Sequence, residues 1–386
     1  MPTRLERVAD VAFCAPCRVD ESCGGIGVFA TAAIPAGATL LIEKPFACTT
    51  SWAGRFQICA TCMRQDDGRE LPLRCEKCDC VAYCSASCAA VDKVHSGMEC
   101  DALMAWAASE DEPEAVTADV ADLVLQAIRI LAHRHAARRI DPFPGSRGGE
   151  QLGYESYAQR VQGMERTRRT AEGIKLAVRA ALRAVPPASR VPAPELYDVL
   201  SRQQCNAIGL FGARFSNVGL ASFVGGMHLF NHSCYPNAAF DSLPLRSQHA
   251  GSPRDGGERS EDGQDSCDGV VFAMRAIRDI PVGGEIFHCY AGSADGPARR
   301  QQYLRDHHGF VCACERCACA DDPMAEADLS ERLDALRCRC DGCGSGLGYP
   351  VHAPGAGGER GDTVVECCVR RCVHCGGEWE ADEEEW

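Results

Sequence analysis

The sequence predicts an α+β protein in which short curled β-sheets, a helical block and zinc-binding cysteine units alternate along the chain. Three observations carry this expectation. Short β-prone runs broken by Gly and Pro-x-Gly occur at two distant places, residues 24–43 and 270–290. Between them, residues 118–204 carry apolar side chains at helical spacing. Most of the 27 cysteines stand in C-x2-C or C-x-C spacing, which suits metal ligation.

A chain of 386 residues should hold two or three units, at about 100–200 residues per domain. It is 46% hydrophobic and 24% charged, as expected of a globular protein. No apolar run approaches the roughly 20 residues that span a bilayer, so no membrane partner is expected. Met1 to Val19 has no apolar segment of a secretory signal. These features point to a reducing compartment, cytoplasm and/or nucleus, where cysteines bind metal rather than form disulfides. A net charge of −14 argues against direct nucleic-acid binding, which needs a basic surface.

From Gly24 the run Gly-Gly-Ile-Gly-Val-Phe-Ala-Thr leads into Ala33 to Glu43, broken by Pro35-Ala36-Gly37, a hairpin pattern. Residues 59–100 then carry Cys59-x2-Cys62, Cys75-x2-Cys78, Cys84-x3-Cys88 and His95-x4-Cys100. Eight such ligands serve two tetrahedral zinc ions. A segment of about 40 residues cannot build an adequate core alone, so metal must supply folding energy. Cys80 is expected to be a bystander. Helices are expected over Ala118–Arg139, from about Tyr154 to Ala184, and over Pro194–Gln204, with His133 and His135 solvated.

The stretch Asn231-His232-Ser233-Cys234-Tyr235-Pro236-Asn237 packs amides, imidazole, hydroxyl and thiol into seven residues. Burying such groups unpaired costs about 1–3 kcal/mol each, so it reads as a shaped binding loop. Residues 241–269, rich in Ser, Gly, Asp and Arg, are expected to be mostly disordered. Asp279 to Glu285 repeats the Pro-x-Gly turn, and the following strand ends on Tyr290. Cys312-x-Cys314-x2-Cys317 supplies three ligands and needs a fourth, for which Cys234 is the candidate. Cys340-x2-Cys343-Gly and Cys372-x2-Cys375-Gly look like the two knuckles of a zinc ribbon.

In order and spacing these pieces resemble the SET- and MYND-domain protein lysine methyltransferases. The carriers are the G-x-G hairpin, the cysteine block, N-H-S-C-x-P-N, G-x-E-[LI]-x-x-x-Y and C-x-C-x2-C, over residues 23–100 and 200–320. The chain then divides into an N-terminal extension (1–22), an N-terminal part of SET (23–55) and a MYND-type finger (56–100). A helical insertion (101–200), a SET core (201–295), a post-SET zinc motif (296–320) and a zinc-ribbon-like tail (330–386) follow. The resemblance implies a SET fold with a knot-like C-terminal crossing. It implies that Cys59, Cys62, Cys84 and Cys88 hold one zinc, and Cys75, Cys78, His95 and Cys100 a second. Cys234, Cys312, Cys314 and Cys317 would hold a third, and Cys340, Cys343, Cys372 and Cys375 a possible fourth.

The implied cofactor is S-adenosylmethionine, approached by the backbone of Gly24, Gly25, Ile26 and Gly27. Asn206, Asn231, His232, Tyr290 and Phe310 would also contact it. Tyr290 would be the catalytic phenol. The implied partner is a protein lysine, on a histone or another protein, and the implied state is a monomer. The alternative is a catalytically weak scaffold whose MYND finger captures proline-containing peptides. The chain departs from the family pattern at three points. His95 lies one residue early, His228 stands where Ser is common, and Gly24 and Ile26 lack polar side chains. A local bulge would restore His95 to its cluster.

Overall fold

The structure, a computed structural model, describes residues 11–380 apart from 23–24, 66–68, 110–115, 139, 141, 144–150, 155–167, 212–216, 247–269, 292–294, 320–321, 340–345, 352–368 and 374–375. In chain order the strands are β1 (Cys17–Ser22), β2 (Gly25–Ala30), β3 (Thr39–Glu43), β4 (Ala47–Thr50), β5 (Leu73–Arg74) and β6 (Ala82–Tyr83). After the helical block come β7 (Ala207–Phe211), β8 (Asn217–Ser222), β9 (Asn231–His232), β10 (Ala238–Arg246), β11 (Val270–Ala276) and β12 (Glu285–His288). The last three are β13 (Gly348–Pro350), β14 (Val369–Cys372) and β15 (Glu378–Glu380). The helices are α1 (Ala86–Val91), α2 (Cys100–Ala107), α3 (Ala118–His135), α4 (Arg168–Ala184), α5 (Ala193–Asn206), α6 (Pro297–His308), α7 (Glu315–Ala318) and α8 (Pro323–Asp334).

Among the described residues the strands form small sheets in the orders β1-β2-β12-β9, β10-β11-β3 and β4-β8-β7, with a β13-β14-β15 sheet near the C-terminal end and a β5-β6 pair in the finger. The two Pro-x-Gly turns meet. Ile34 and Ile280 exchange both backbone hydrogen bonds at 2.9 Å, and Gly37 and Gly283 supply the positive φ that each turn requires (86° and 77°). The sequence repeat is therefore two turns stitched together, which brings residue 34 beside residue 280.

One apolar core gathers Ile26, Val28, Leu40, Leu41, Phe223, Phe230, Phe272 and Ile286 from the central sheets. Another joins the finger to α2, α3, α4 and α5. A third packs Leu329, Leu333 and Leu336 of the C-terminal part with Tyr349 and Val373 against Tyr235 and Ile277.

Two sequence expectations change, at residues 241–246 and at His133. Within the expected N-terminal extension, residues 17–22 form β1, which pairs with β2 in register Ser22↔Gly25. Its residues, Cys-Arg-Val-Asp-Glu-Ser, give an outer strand little apolar signal. Strand β10 runs to Arg246, so residues 241–246 pair with β11 rather than belonging to a disordered loop. The remainder of that loop, 247–269, lies outside the described residues. The second helix is described from Arg168 to its expected end at Ala184, and its expected first part, 155–167, lies outside the described residues. His133 is buried rather than solvated, its ring 5.2 Å from that of Phe46. Helix α3 is buried on every side from Val120 to His133, so no face was left for solvent. His135 is exposed and shares a 2.8 Å hydrogen bond with Ser189.

The finger and α3 are locked by charge. Arg129 of α3 pairs with Asp92 (3.1 Å) and Glu99 (2.7 Å), and all three are buried. Arg129→Met leaves both carboxylates buried without a counter-charge. The expected cost is about 3–5 kcal/mol, read as a shift of the urea unfolding curve with zinc present. A loss below about 1 kcal/mol would show that the finger does not depend on this lock.

Candidate active site and metal clusters

Two short strands build the candidate site. β9 and β12 run parallel in register Phe287↔Asn231 and His288↔His232. Asn237 extends the pairing like a backbone unit. Its Oδ1 accepts from Phe287 N (2.8 Å), and its Nδ2 donates to the Glu285 carbonyl (2.9 Å). Asn231 fastens the N-terminal hairpin to this pair, donating to Ile26 O (3.0 Å) and Glu285 Oε1 (2.8 Å). A side chain at Gly27 would collide with Glu285 and come within 2.9 Å of Asn231 Nδ2. Glycine lets the hairpin approach this closely without moving either side chain. Gly25 takes φ 114°, another conformation open to glycine.

His232 lies at the centre. Its Nδ1 accepts from Tyr290 N (2.9 Å), so the ring proton belongs on Nε2, which faces Cys234 Sγ at 3.2 Å. The ring therefore connects the Tyr290 backbone to a metal-cluster sulfur. Tyr290 donates its hydroxyl to the Phe230 carbonyl (2.7 Å). Its ring is ringed by His288, His308 and His232 at centroid distances of 4.7, 4.9 and 5.2 Å. Phe310 stands 5.9 Å from His232 and 6.4 Å from His308.

Of the expected cofactor contacts, Ile26, Gly27, Asn231, His232, Tyr290 and Phe310 thus meet in one constellation with Glu285. Gly24 lies outside the described residues. Asn206 ends α5, its amide donating to Arg202 O at 2.7 Å. His228 is half-buried in the turn Met227–Leu229 that leads to the loop. Sequence reasoning missed His288 and His308. Each was one imidazole in an ordinary strand or helix end, and only the fold turns them onto Tyr290.

Burial keeps these imidazoles neutral. It lowers His288 to about 3, with the neighbouring His232 and His308 adding to the effect. It lowers His232 and His308 to about 4. The uncharged imidazoles around Tyr290 would not repel a cation.

The described residues form three clusters of four potential ligands, each with its ligand atoms within 4.8 Å of one another. They are Cys59, Cys62, Cys84 and Cys88; Cys75, Cys78, His95 and Cys100; and Cys234, Cys312, Cys314 and Cys317. Sulfur separations of 3.5 Å (Cys62–Cys84), 3.6 Å (Cys75–Cys100) and 4.0 Å (Cys234–Cys312) are far too long for disulfides. They match the roughly 3.8 Å edge of a tetrahedron of sulfurs about 2.3 Å from zinc. The donor chemistry and spacing therefore fit zinc.

The early histidine is also accommodated. His95–Glu99 is a π-turn, closed by Cys100 N–H on His95 O. One extra residue in a helical turn is what a π-turn absorbs, so His95 and Cys100 still face the same cluster. Glu99 sits 3.4 Å from His95 Nδ1, leaving Nε2 towards Cys78 (3.6 Å). Cys80 turns away, donating to Cys78 O. In the C-terminal sheet, Cys372 is buried with Cys338 and packed by Trp379. Cys340, Cys343 and Cys375 lie outside the described residues.

The sequence model of the SET domain matches residues 25–291, more than half of the chain. The chain belongs to the SET-domain family, and its sheets are those of that mixed α+β fold. Histone-lysine N-methyltransferase SMYD3 of Homo sapiens is 25% identical over 302 residues, covering 77% of this chain and 60% of that protein. N-lysine methyltransferase SMYD2-B of Danio rerio is 24% identical over 315 residues, covering 81% and 62%. These relatives and its paired cysteine clusters make the chain similar to the SET- and MYND-domain lysine methyltransferases. It spans about three fifths of the length of these relatives. A solved structure of the SET domain of LSMT bound to lysine and AdoHcy is 15% identical, covering 86% of this chain and 62% of that one. Its TM-score of 0.31 is too low to argue from.

An imidazole held below its ordinary 6.5 binds fewer protons folded than unfolded. The stability it contributes is complete above pH 6.5 and is lost as pH falls towards 3. For His288 the loss between about pH 7 and pH 5 is about 2 kcal/mol. His288→Phe should remove roughly that part of the acid sensitivity, measured as urea midpoints at both pH values. An acid sensitivity identical to that of the native protein would contradict a neutral buried His288.

Proposed function

We propose that the chain is an S-adenosylmethionine-dependent protein lysine N-methyltransferase acting on histone or non-histone lysines. The observation that carries this reading is the Tyr290 constellation. A phenol anchored to the Phe230 carbonyl stands among neutral imidazoles, beside Asn231, a close-approaching glycine hairpin and Phe310.

The cofactor, when bound, supplies an electrophilic methyl on a sulfonium. Gly25 to Gly27, Asn231 and His232 would hold its methionine end, and Phe310 would pack on its adenine. Gly24 and Asn206 are proposed to complete this set. The chain's own residues must then present a neutral amine. A lysine amine has a pKa of about 10.4, so on the order of one in a thousand is neutral at neutral pH. The proposed apolar surroundings of the amine would disfavour the ammonium by desolvation. Tyr290 gives its proton to Phe230 O, which leaves its oxygen lone pairs to accept from the amine N–H and aim the nitrogen. A free phenol has a reference pKa of about 10 and is a poor base at pH 7, so the role proposed for Tyr290 is alignment rather than proton removal. Catalysis is then mostly positioning and electrostatics.

The three clusters are proposed to hold zinc, the Cys234 cluster forming the post-SET site. A fourth ion is proposed for the C-terminal cysteines Cys340, Cys343, Cys372 and Cys375, with Cys338 as a further candidate beside Cys372. The passage of residues 231–237 alongside 285–290 is proposed to be the family's knot-like crossing.

Tyr290→Phe should lower methyl transfer to a histone or lysate panel about a hundredfold. It should leave cofactor affinity within about threefold of the native value, measured by calorimetry. A peptide-binding scaffold would lose nothing. No cofactor binding by zinc-loaded native protein would sink the enzymatic reading. Native mass spectrometry should find at least three zinc ions per chain, and chelation should abolish cooperative unfolding.

A further inference from the structure

Glu43 ends β3 fully buried, and its carboxylate is met by backbone donors. Its carboxylate receives four consecutive backbone N–H groups from a loop some 180 residues later in the chain. Val224 (3.1 Å) and Gly225 (2.6 Å) donate to Oε1, and Gly226 (2.9 Å) and Met227 (2.6 Å) donate to Oε2. Successive N–H groups turned to one point form an anion-binding nest, and here the anion is part of the protein. Burial pushes the Glu43 pKa up, and the four N–H groups pull it down.

The loop cannot readily take other residues. A Cβ at Gly225 would come within 2.6 Å of Phe143 and 2.9 Å of Glu43, and one at Gly226 within 2.5 Å of Val11. The nest runs directly into the turn Met227–Leu229, with Leu229 N on Gly226 O (3.0 Å). The next residue, Phe230, is fully buried and presents the carbonyl that accepts the Tyr290 hydroxyl. Asn231 follows. A rigid path of a few residues thus leads from the Glu43 carboxylate to the hydroxyl of Tyr290.

We propose that Glu43 is a positioning residue for methyl transfer: by holding residues 224–227 it places the Phe230 carbonyl, and through it the Tyr290 hydroxyl. The proposal rests on Tyr290 being the transfer-site phenol. Glu43→Gln keeps the shape but replaces one accepting oxygen with an NH2 group, so two N–H donors of the loop face a donor.

The test is a double-mutant cycle on the zinc-loaded full chain. Glu43→Gln should lower kcat about tenfold or more, with KM for the protein substrate changed less than about threefold. In a Tyr290→Phe background the same substitution should cost less than about threefold, because the hydroxyl it places is gone. A merely structural glutamate would lower the melting temperature and give additive effects on kcat, which would overturn the proposal, as would an unchanged kcat. Should Glu43→Gln not fold, Gly225→Ala displaces the same loop with the carboxylate intact and should show the same dependence on Tyr290. Should the native protein transfer no methyl, the functional reading fails separately. Amide hydrogen exchange then decides the placement. Faster exchange across Val224–Asn231 in Glu43→Gln supports it, and unchanged exchange overturns it.

Discussion

The structure depends on one closure, the meeting of Cys234 with Cys312, Cys314 and Cys317. These residues are separated by nearly eighty positions, yet their ligand atoms fall within one cluster. Closing a loop of that length costs entropy that grows only slowly with length, and a zinc ion held there, as proposed, would repay it in one step. The neighbours of Cys234 benefit most. Asn231 and His232 are aligned with Phe287 and His288 by a pairing only two residues long. So short a ladder is weak alone. Asn237 lengthens it with two side-chain hydrogen bonds, and Cys234 pins it from behind.

The chemistry of the site follows from how charge is distributed. The chain is acidic overall, yet its buried acids are committed elsewhere. Asp92 and Glu99 answer Arg129, and Glu43 answers backbone donors. Around Tyr290 the titratable neighbours are imidazoles held neutral by burial. A charged imidazole there would repel both an incoming ammonium and a sulfonium. The desolvation that costs stability at low pH is the same desolvation that would favour a neutral amine in the proposed methyl transfer.

Much of this could be read in the sequence wherever chemistry is bound to spacing. Cysteine pairs, the Asn231–Asn237 loop and the Pro-x-Gly repeat were all visible because metal geometry and turn geometry leave few alternatives. Even the misplaced His95 was legible as a bulge, and the π-turn is its form. What escaped was written in burial rather than spacing. Strand β1 is too polar to show a period. His133 looked solvated because the spacing of α3 marked only one of its buried sides. Glu43, followed by Lys44 and Pro45, reads as an ordinary charge at the end of a strand, and nothing local announces the loop that claims it. His288 and His308 converge only through the fold, each against the ring of Tyr290.

The C-terminal part completes this logic. Tyr235 sits next to Cys234 but points away from the site, into the core built by Leu329, Leu333, Leu336 and Tyr349. Arg278 stacks 3.8 Å over its ring and donates to the carbonyls of Tyr235 and Pro236 (2.8 Å each). Arg316 of α7 reaches the Cys234 carbonyl (3.4 Å) while pairing with Glu326 of α8. The seven-residue loop is therefore divided between two environments. Its first two residues serve the Tyr290 constellation, Cys234 serves the metal cluster, and Tyr235 and Pro236 are gripped by the C-terminal helices and Arg278. A loop held on both sides cannot shift towards one without disturbing the other. The cysteine-rich part beyond residue 320 thus acts on the site by packing, as a wall behind the loop that carries Asn231 and His232.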